Sequence, residues 1–288
     1  MSATPRHTHL IAVPFDSGRR GERMGAGPLR LLDAGLASRL EAAGHTVNVT
    51  VVDTTPGLWP GEIAAAFDLA TQVAARVRAT IDDGAAPLVL SGNCGPAALG
   101  CVSGARAVKH VFWFDAHGDF NTPETTIGGF LDGMAVATLT GRCWHELAAR
   151  IPGFRALPED AVTLIGARDL DPLEADALAR SRVVRVPAES VKQRTMAFRP
   201  AVPGEACYVH LDLDVLDVSL GRVNNYAAEG GLTVGDVRET LGRIAREGRI
   251  AAASVTSFDP QADSSGRTLS SALDLAVHLA GLLHGGGA

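Results

Sequence analysis

The chain has 288 residues, of which 46% are hydrophobic and 20% charged, and its formal net charge is −6 at pH 7. This composition predicts a folded protein with a sizeable core and argues against a nucleic-acid-binding or anionic-membrane-binding surface. No apolar run reaches the roughly 18–20 residues of a spanning helix, and the first ten residues lack a signal-peptide pattern. The four cysteines are scattered, so we expect a cytoplasmic protein with reduced thiols.

Short apolar segments rich in β-branched residues alternate with longer segments of helical spacing. The predicted strands are 9–14, 47–52, 87–91, 111–115, 161–165, 183–186, 207–211 and 250–255. The predicted helices are 28–43, 62–82, 96–106, 131–141, 234–247 and 270–283. The alternation is typical of a three-layer α/β fold, a mainly parallel sheet of about eight strands with helices on both faces. We expect one domain over residues 1–288, with a frayed tail at 285–288.

Unusual polar residues follow four of the predicted strands, where open parallel sheets bind ligands. Asp115, His117 and Asp119 are spaced two residues apart, so an extended chain places them on one side, and Asp212 and Asp214 repeat the spacing. Each residue alone is more typical of a helix cap or a solvated loop. Together they would repel one another unless a cation neutralised them. Carboxylates with one imidazole suit divalent ions such as manganese, and five ligands suggest two ions.

The segment from Asp115 to Pro123 reads DAHGDFNTP, and the segment from Asp212 to Asp217 reads DLDVLD. These segments resemble the DAHxDxNTP and DxDxxDP motifs of the arginase, or ureohydrolase, family. Further matches at 17–28, 165–172 and 229–233 follow the family's order, so the resemblance covers nearly the whole chain. It implies the three-layer arginase-like fold and a small guanidino or amidino substrate. Family members often form trimers or hexamers, which leaves a homo-oligomer open.

In this family, a hydroxide between two manganese ions attacks the central carbon of a guanidinium group. The resemblance implies that Asp115 and Asp212 bridge the ions. His117 and Asp214 would complete one site, and Asp119 would serve the other. Asp115 and Asp214 are therefore candidate catalytic residues as well as candidate metal ligands.

The resemblance also implies contacts with the substrate. Asn121, Thr126 and Asp171 fall where arginases hold the α-carboxylate and α-amino groups, and Thr233 closes another matching segment. A turn-forming loop is the alternative for Asn121 and Thr126, and a helix cap before a proline is the alternative for Asp171. Glu124, within the matching loop, is either a substrate contact or a solvated charge.

Several positions depart from the family's pattern. Cys94 replaces a histidine ligand, and it is either a ligand that favours zinc or iron over manganese or a buried thiol. Asp132 replaces the histidine credited with proton transfer, which makes it a candidate catalytic residue. Ser257 replaces the glutamate that pairs with the guanidinium, although Asp259 could point the same way. Gly128 and Phe130 stand where the family has two polar residues in its substrate loop.

The cysteine and the run HGDFNTPETT resemble the hydroxyarginine amidinohydrolase of cycloserine biosynthesis. A hydroxylated guanidine is less basic and needs a carboxylate partner less. We therefore expect a binuclear-metal hydrolase of a guanidino compound, arginine-like or N-omega-hydroxyarginine. The alternatives are a hydrolase of an amidine, formimino or amide substrate, and a metal-binding relative that has lost turnover.

Overall fold

A parallel sheet forms the centre of the computed structural model, which describes residues 6–58, 61–196 and 204–285. Eight strands join it in the order β4-β1-β5-β10-β9-β6-β7-β8 once the strands are numbered along the chain. They are β1 (Arg6–Val13), β2 (Phe15–Asp16), β3 (Arg19–Arg20), β4 (His45–Val51), β5 (Ala86–Ser91), β6 (Val108–Phe114), β7 (Val162–Ile165), β8 (Val184–Val186), β9 (Ala206–Asp212) and β10 (Arg249–Thr256). All pairings in this sheet are parallel, whereas β2 and β3 form a short antiparallel hairpin. The predicted sheet is confirmed.

Helices pack on both faces of this sheet. They are α1 (Gly27–Asp33), α2 (Leu36–Ala42), α3 (Glu62–Asp82), α4 (Cys94–Gly104), α5 (Ala135–Leu139), α6 (His145–Ala148), α7 (Pro172–Arg180), α8 (Ala188–Lys192), α9 (Val234–Glu247) and α10 (Arg267–Leu282). Phe112 of β6 packs in one hydrophobic cluster with Leu241 of α9 and Leu279 of α10. The next residue, Trp113, packs in a second cluster with Val73 of α3. Because successive strand residues face opposite sides, these clusters fill the two spaces of a three-layer fold.

Some predicted helices differ from the observed ones. The predicted helix 28–43 is two helices, because Gly35 adopts a left-handed conformation with φ 85° and turns the chain. The predicted helix 131–141 begins as a tighter helical turn at Asp132–Met134 before α5. Helices α6, α7 and α8 were not predicted, and α6 and α8 have only four and five residues.

The edges of the structure are more exposed than its centre. The edge strand β4 exposes Val49 and Val51, because it pairs on one side only, with β1. Of the expected frayed tail, Gly285 is exposed and residues 286–288 lie outside the described residues. Within the described ranges, no helix has the length and apolar character needed to cross a membrane.

The strand order explains where the polar residues meet. Strands β5, β10, β9 and β6 are neighbours at the centre of the sheet, and parallel strands end at the same edge. The segments after them, 92–95, 257–260, 213–217 and 115–119, therefore converge. Strands from both ends of the described chain join this sheet, which supports the proposed single domain.

Candidate metal centre

A cavity of about 270 Å³ opens at the carboxyl edge of the central strands. Its described lining contains no lysine or arginine side chain. Most of the predicted site residues line it: Cys94, Asp115, His117, Asp119, Asn121, Thr126, Asp132, Asp171, Asp212, Asp214 and Ser257. The convergence that the sequence predicted for the acidic residues is therefore found in the fold.

Local hydrogen bonds orient the carboxylates at the ends of β6 and β9. The indole Nε1 of Trp113 donates to Asp115 Oδ2 at 2.9 Å, and the backbone N–H of His117 donates to Asp115 Oδ1 at 2.7 Å. The backbone N–H of Asp214 donates to Asp212 Oδ1 at 2.8 Å. The backbone N–H of Ala116 donates to Asp214 Oδ1 at 3.1 Å, which links the two strand ends. These donors fix the orientation of the three carboxylates at the cavity.

Two groups of side chains can each hold a metal ion. In the first, His117 Nδ1 lies 3.2 Å from Asp115 Oδ1 and 3.3 Å from Asp214 Oδ2. In the second, ligand atoms of Cys94, Asp115, His210 and Asp212 all lie within 4.8 Å of one another. Asp115 belongs to both groups, which fits the bridging position that the resemblance implied for it.

Burial and mutual repulsion shift the pKa values of this cluster. Burial raises the pKa of Asp115 to about 6, and the charge of Asp214 adds to the shift. Burial, with neighbouring carboxylates, also raises the pKa values of Asp119 and Asp212 well above their ordinary value. Burial alone would lower the pKa of His117 and raise that of Asp214. The attraction between these two side chains outweighs burial, so the pKa of His117 is raised and that of Asp214 is lowered. The raised pKa values of Asp119 and Asp212 favour their protonated forms, and a bound divalent ion would favour the charged forms instead.

Asp119 provides a direct test of whether these residues suit a metal. Its Oδ2 atom is buried and accepts no hydrogen bond, although the side chain lines the cavity. An unpartnered carboxylate oxygen in a buried, acidic site is unfavourable unless a cation binds it. Carboxylates with an imidazole also form a donor set that divalent ions accept. The residues present therefore fit a divalent metal centre.

Cys94 and Ser257 both contact the metal-ligand candidate Asp212. Cys94 Sγ donates to Asp212 Oδ2 at 3.1 Å, and the Ser257 hydroxyl donates to the same oxygen. Burial and then the charges of nearby carboxylates raise the pKa of the Cys94 thiol. Cys94 therefore contacts a predicted ligand and also belongs to the hydrophobic cluster on that face of the sheet.

Asp132 binds the N-terminus of α4, which begins at Cys94, two residues before the predicted start. Its carboxylate accepts hydrogen bonds from the backbone N–H groups of Cys94 at 2.9 Å and Gly95 at 2.8 Å. The side-chain amide of Asn93 donates a third bond at 2.9 Å. Burial raises the pKa of Asp132 to about 7 in spite of these donors. Asp132 thus holds the start of α4 at the wall of the cavity, and its role in proton transfer stays a prediction.

The loop between Asp119 and Gly133 supplies the outer part of the cavity. The Asp119 carbonyl accepts from two backbone N–H groups of α5, and the Asn121 N–H donates to the Gly133 carbonyl at 3.1 Å. Asn121 Nδ2 also donates to Asp171 Oδ2 at 3.1 Å, while Thr126 Oγ1 accepts from the Gly129 N–H at 3.1 Å. Both ends of the loop are thus fixed to the fold.

Three predicted substrate residues lie outside the described lining of the cavity. Glu124 is exposed in the loop. Thr233 is the N-cap of α9, where its hydroxyl accepts from the Asp236 backbone N–H at 3.1 Å. Asp259 is buried and accepts from the Gln261 N–H at 2.9 Å. The structure does not bring these three side chains to the metal ligands.

Other residues of the site were missed from the sequence. His210 is buried two residues before Asp212 on the same side of β9, a spacing that could have signalled it. Asn224 Nδ2 donates to Asp214 Oδ2 at 3.3 Å and to the Ser257 carbonyl at 3.0 Å, and no sequence signal marks it. Also in the lining, Tyr226 stacks on Phe130 with ring centroids 5.4 Å apart.

Arg168 fixes the chain on the outer side of the metal ligands. Its guanidinium donates to the carbonyls of Asp214 at 2.9 Å, Ala228 at 2.8 Å and Glu229 at 2.7 Å. Burial lowers the pKa of Arg168, although neighbouring aspartates oppose that shift. The arginine joins two loops and thereby holds the backbone that carries Asp214.

Comparison with known proteins agrees with this geometry. The sequence profile of the Arginase family matches residues 6–281. The arginase of Glaciozyma antarctica is 31% identical, over 80% of this chain and 74% of that protein. The arginase of Bacillus caldovelox is 28% identical, over 96% of this chain and 97% of that protein. The crystal structure of Bacillus subtilis arginase superposes with a TM-score of 0.83 at 26% identity, covering 96% of this chain and 98% of that chain. The chain belongs to the arginase family.

Proposed function

We propose that the protein hydrolyses a C–N bond of a guanidino compound at a centre of two divalent ions, and that N-omega-hydroxyarginine is the substrate. The observation that carries the substrate proposal is Ser257, a hydroxyl where a carboxylate would pair with a guanidinium. Its hydroxyl is already bonded to Asp212. Asp259 lies outside the described lining of the cavity, which supports the absence of a carboxylate partner for the guanidinium.

The metal centre follows from the two ligand groups that share Asp115. His117 and Asp214 would hold one ion, and manganese suits that donor set. Cys94 and Asp212, with Asp119 nearby, would hold the other. A pair of divalent ions at this position would acidify a shared water and polarise the guanidine carbon.

The outer cavity suits the amino-acid end of such a substrate. Asp171 and the neighbouring Asp169 line one side and can accept hydrogen bonds from an ammonium group. Asn121 and Thr126 offer polar groups beside them. The stacked Phe130 and Tyr226 rings would cover the aliphatic part of the substrate.

The size of the substrate preference follows from the missing carboxylate. A charge-assisted hydrogen bond to a guanidinium is worth about 1.5–3 kcal/mol. Its absence lowers kcat/KM for cationic arginine by roughly ten- to a hundredfold, since each 1.4 kcal/mol is a factor of ten. The less basic hydroxyguanidine loses less, because more of it is neutral.

The test compares kcat/KM for arginine and hydroxyarginine in the manganese-loaded protein. We expect hydroxyarginine to be preferred, and Ser257→Glu to narrow the gap. Ser257→Ala is the matched control, since it removes the hydroxyl bond to Asp212 without adding charge. Asp259→Asn should leave the ratio unchanged, because that side chain lies outside the cavity lining. Arginine hydrolysis at least as efficient in the wild-type protein would contradict the proposal.

A substrate panel separates the alternatives. Turnover of amidine, formimino or amide compounds in place of guanidino compounds would identify the second class of hydrolase. Binding of two ions without turnover of any compound would identify a relative that has lost activity. Asp212→Asn should abolish turnover while the protein stays folded, because Asp212 contacts both Cys94 and Ser257 at the centre.

We also propose a cytoplasmic location. All four cysteines are free and buried, as expected for a protein that folds in a reducing compartment. Fractionation of cells that produce the protein would test this proposal, and recovery in an organelle or a secreted fraction would contradict it.

A further inference from the structure

We propose that His210 is a ligand in the metal centre, with Cys94, Asp115 and Asp212, and that this subsite selects zinc or a similar ion over manganese. The inference rests on the proposed function only in assuming a metal centre, and it holds whichever guanidino compound is the substrate. We name this set of four residues the inner subsite. The group of Asp115, His117 and Asp214 is named the outer subsite.

The position of His210 is the first argument for this role. The side chain is fully buried, and its ring stacks on Trp113 with centroids 3.6 Å apart and an interplanar angle of 12°. Trp113 in turn donates to the carboxylate of Asp115. Ligand atoms of the inner subsite all lie within 4.8 Å of one another. Four atoms bound at about 2.0–2.3 Å in the tetrahedral geometry of zinc lie about 3.3–3.8 Å apart, so metal binding would draw the farthest pair together by about 1–1.5 Å.

The hydrogen bonds of the imidazole are the second argument. Nδ1 lies 2.9 Å from the Tyr208 hydroxyl and 3.0 Å from the Ser254 hydroxyl. Either oxygen can accept the Nδ1 proton, which leaves the lone pair on Nε2. A second partner that fixes the ring in this way is typical of metal-binding histidines. Nε2 lies 3.2 Å from the Thr256 hydroxyl, and that hydroxyl lies 3.4 Å from Cys94 Sγ. Nε2 therefore faces the same side of the site as the Cys94 sulfur.

The chemistry of the four donors gives the metal preference. The inner subsite combines a sulfur and a nitrogen with two carboxylates, whereas the outer subsite has one imidazole and two carboxylates. Sulfur ligands favour zinc, and carboxylate-rich sites suit manganese. Both Cys94 and His210 are buried, so water does not readily replace them. The centre is therefore expected to bind two different metals.

The experiment starts from protein stripped of metal with a chelator. One equivalent of cobalt should give a thiolate-to-cobalt absorption band, and one equivalent of zinc should show one sulfur and one imidazole ligand by X-ray absorption. In His117→Asn, which lacks the outer imidazole, the imidazole at zinc should remain and thus identify His210. Manganese should bind as a second equivalent and should not displace the zinc.

Variants measure the contribution of each ligand. His210→Gln should weaken binding of the first zinc at least tenfold, because loss of a partner behind a ligand already weakens metal binding by about 10–100-fold. Cys94→Ser should remove the cobalt band. His45→Gln is the matched control, because His45 is also buried but bonds to Thr8 and lies in neither ligand group. It should leave zinc affinity and the cobalt spectrum unchanged.

Three results would overturn the proposal. They are an unchanged zinc affinity and cobalt spectrum in folded His210→Gln, no imidazole at zinc in His117→Asn, and equal affinity of the first site for zinc and manganese. If His210→Gln does not fold, the X-ray absorption spectrum of zinc-loaded His117→Asn shows whether His210 binds the zinc. Intact metal spectra without hydrolysis of hydroxyarginine would contradict the proposed substrate and leave the inner subsite standing.

Discussion

The buried carboxylate of Asp119 should destabilise the protein when metal is absent. Its Oδ2 accepts no hydrogen bond, and burial with the charge of Asp115 raises its pKa well above the ordinary value. Asp119→Asn removes the acid group and offers amide hydrogens to the carboxylates around it. An unsatisfied buried polar group costs about 1–3 kcal/mol. We therefore expect the metal-free variant to be more stable than the metal-free wild type by about that amount.

Calorimetry of both proteins in chelator measures this effect. Unfolding entropy is about 2.1 cal/mol/K per residue, so the gain corresponds to a rise in Tm of about 2–5 °C for 288 residues. With saturating zinc and manganese the order should reverse, because the variant has lost a predicted metal ligand. Binding at a hundred times Kd contributes about 2.7 kcal/mol of stability, and loss of one site removes it.

A matched control separates this effect from a general loss of negative charge. Asp33→Asn makes the same chemical change at an exposed position at the end of α1, where the expected effect is within about 0.5 kcal/mol. A metal-free Asp119→Asn protein that is less stable than the wild type would refute the reasoning. The same Tm order in chelator and in saturating zinc and manganese would show that Asp119 does not bind metal.

Three further changes test separate parts of the structure. Thr233→Ala should lower the free energy of unfolding, measured in urea, by about 0.5–2 kcal/mol, because α9 loses its cap. KM should stay unchanged, and a raised KM would support the substrate role expected from the sequence. Arg168→Lys keeps the positive charge but loses the hydrogen bonds that the guanidinium donates to backbone carbonyls. The free energy of unfolding should therefore fall by about 1.5–3 kcal/mol or more, and an unchanged value would contradict this role of Arg168. Gly92→Ala should lower stability by about 1–3 kcal/mol, because its Cβ would overlap the Phe15 carbonyl oxygen. Gly281→Ala is the matched control, because an added Cβ at this position lies within 4 Å of no other atom. Its Tm should not fall below that of the wild-type protein.

The meeting of the acidic segments could be predicted because parallel strands end at one edge of the sheet. The expected extended spacing of the ligands is wrong, because β6 ends at Phe114 and Asp119 has φ 47°. The strand order that makes β6 and β9 neighbours determines which carboxylates meet. Sequence patterns predicted most of the elements, whereas the order of the strands is seen only in the structure.

Other features depend on contacts between distant parts of the chain. The carboxylate of Asp132 reaches the backbone N–H groups at positions 94 and 95, and no local pattern reveals that contact. Asp259 is two residues from Ser257, but Ser257 has φ 66°, so the chain is not extended there and the expected alternation fails. His210 lies in an apolar strand, where the sequence alone is typical of a core histidine. Its stacking on Trp113 of β6 could not be read from the sequence, because it joins two separate strands.

The attachment of the 119–133 loop at both ends has a consequence for how substrate range can change. The bonds from α5 to the Asp119 carbonyl and from Asn121 to Gly133 close the loop at its base, next to the candidate metal ligands. Residues between these anchors, from Thr122 to Phe130, can vary in length and sequence while the base keeps its geometry. Such a loop can be exchanged between relatives as a unit. Selection or design can therefore alter specificity here without rebuilding the hydrolytic centre.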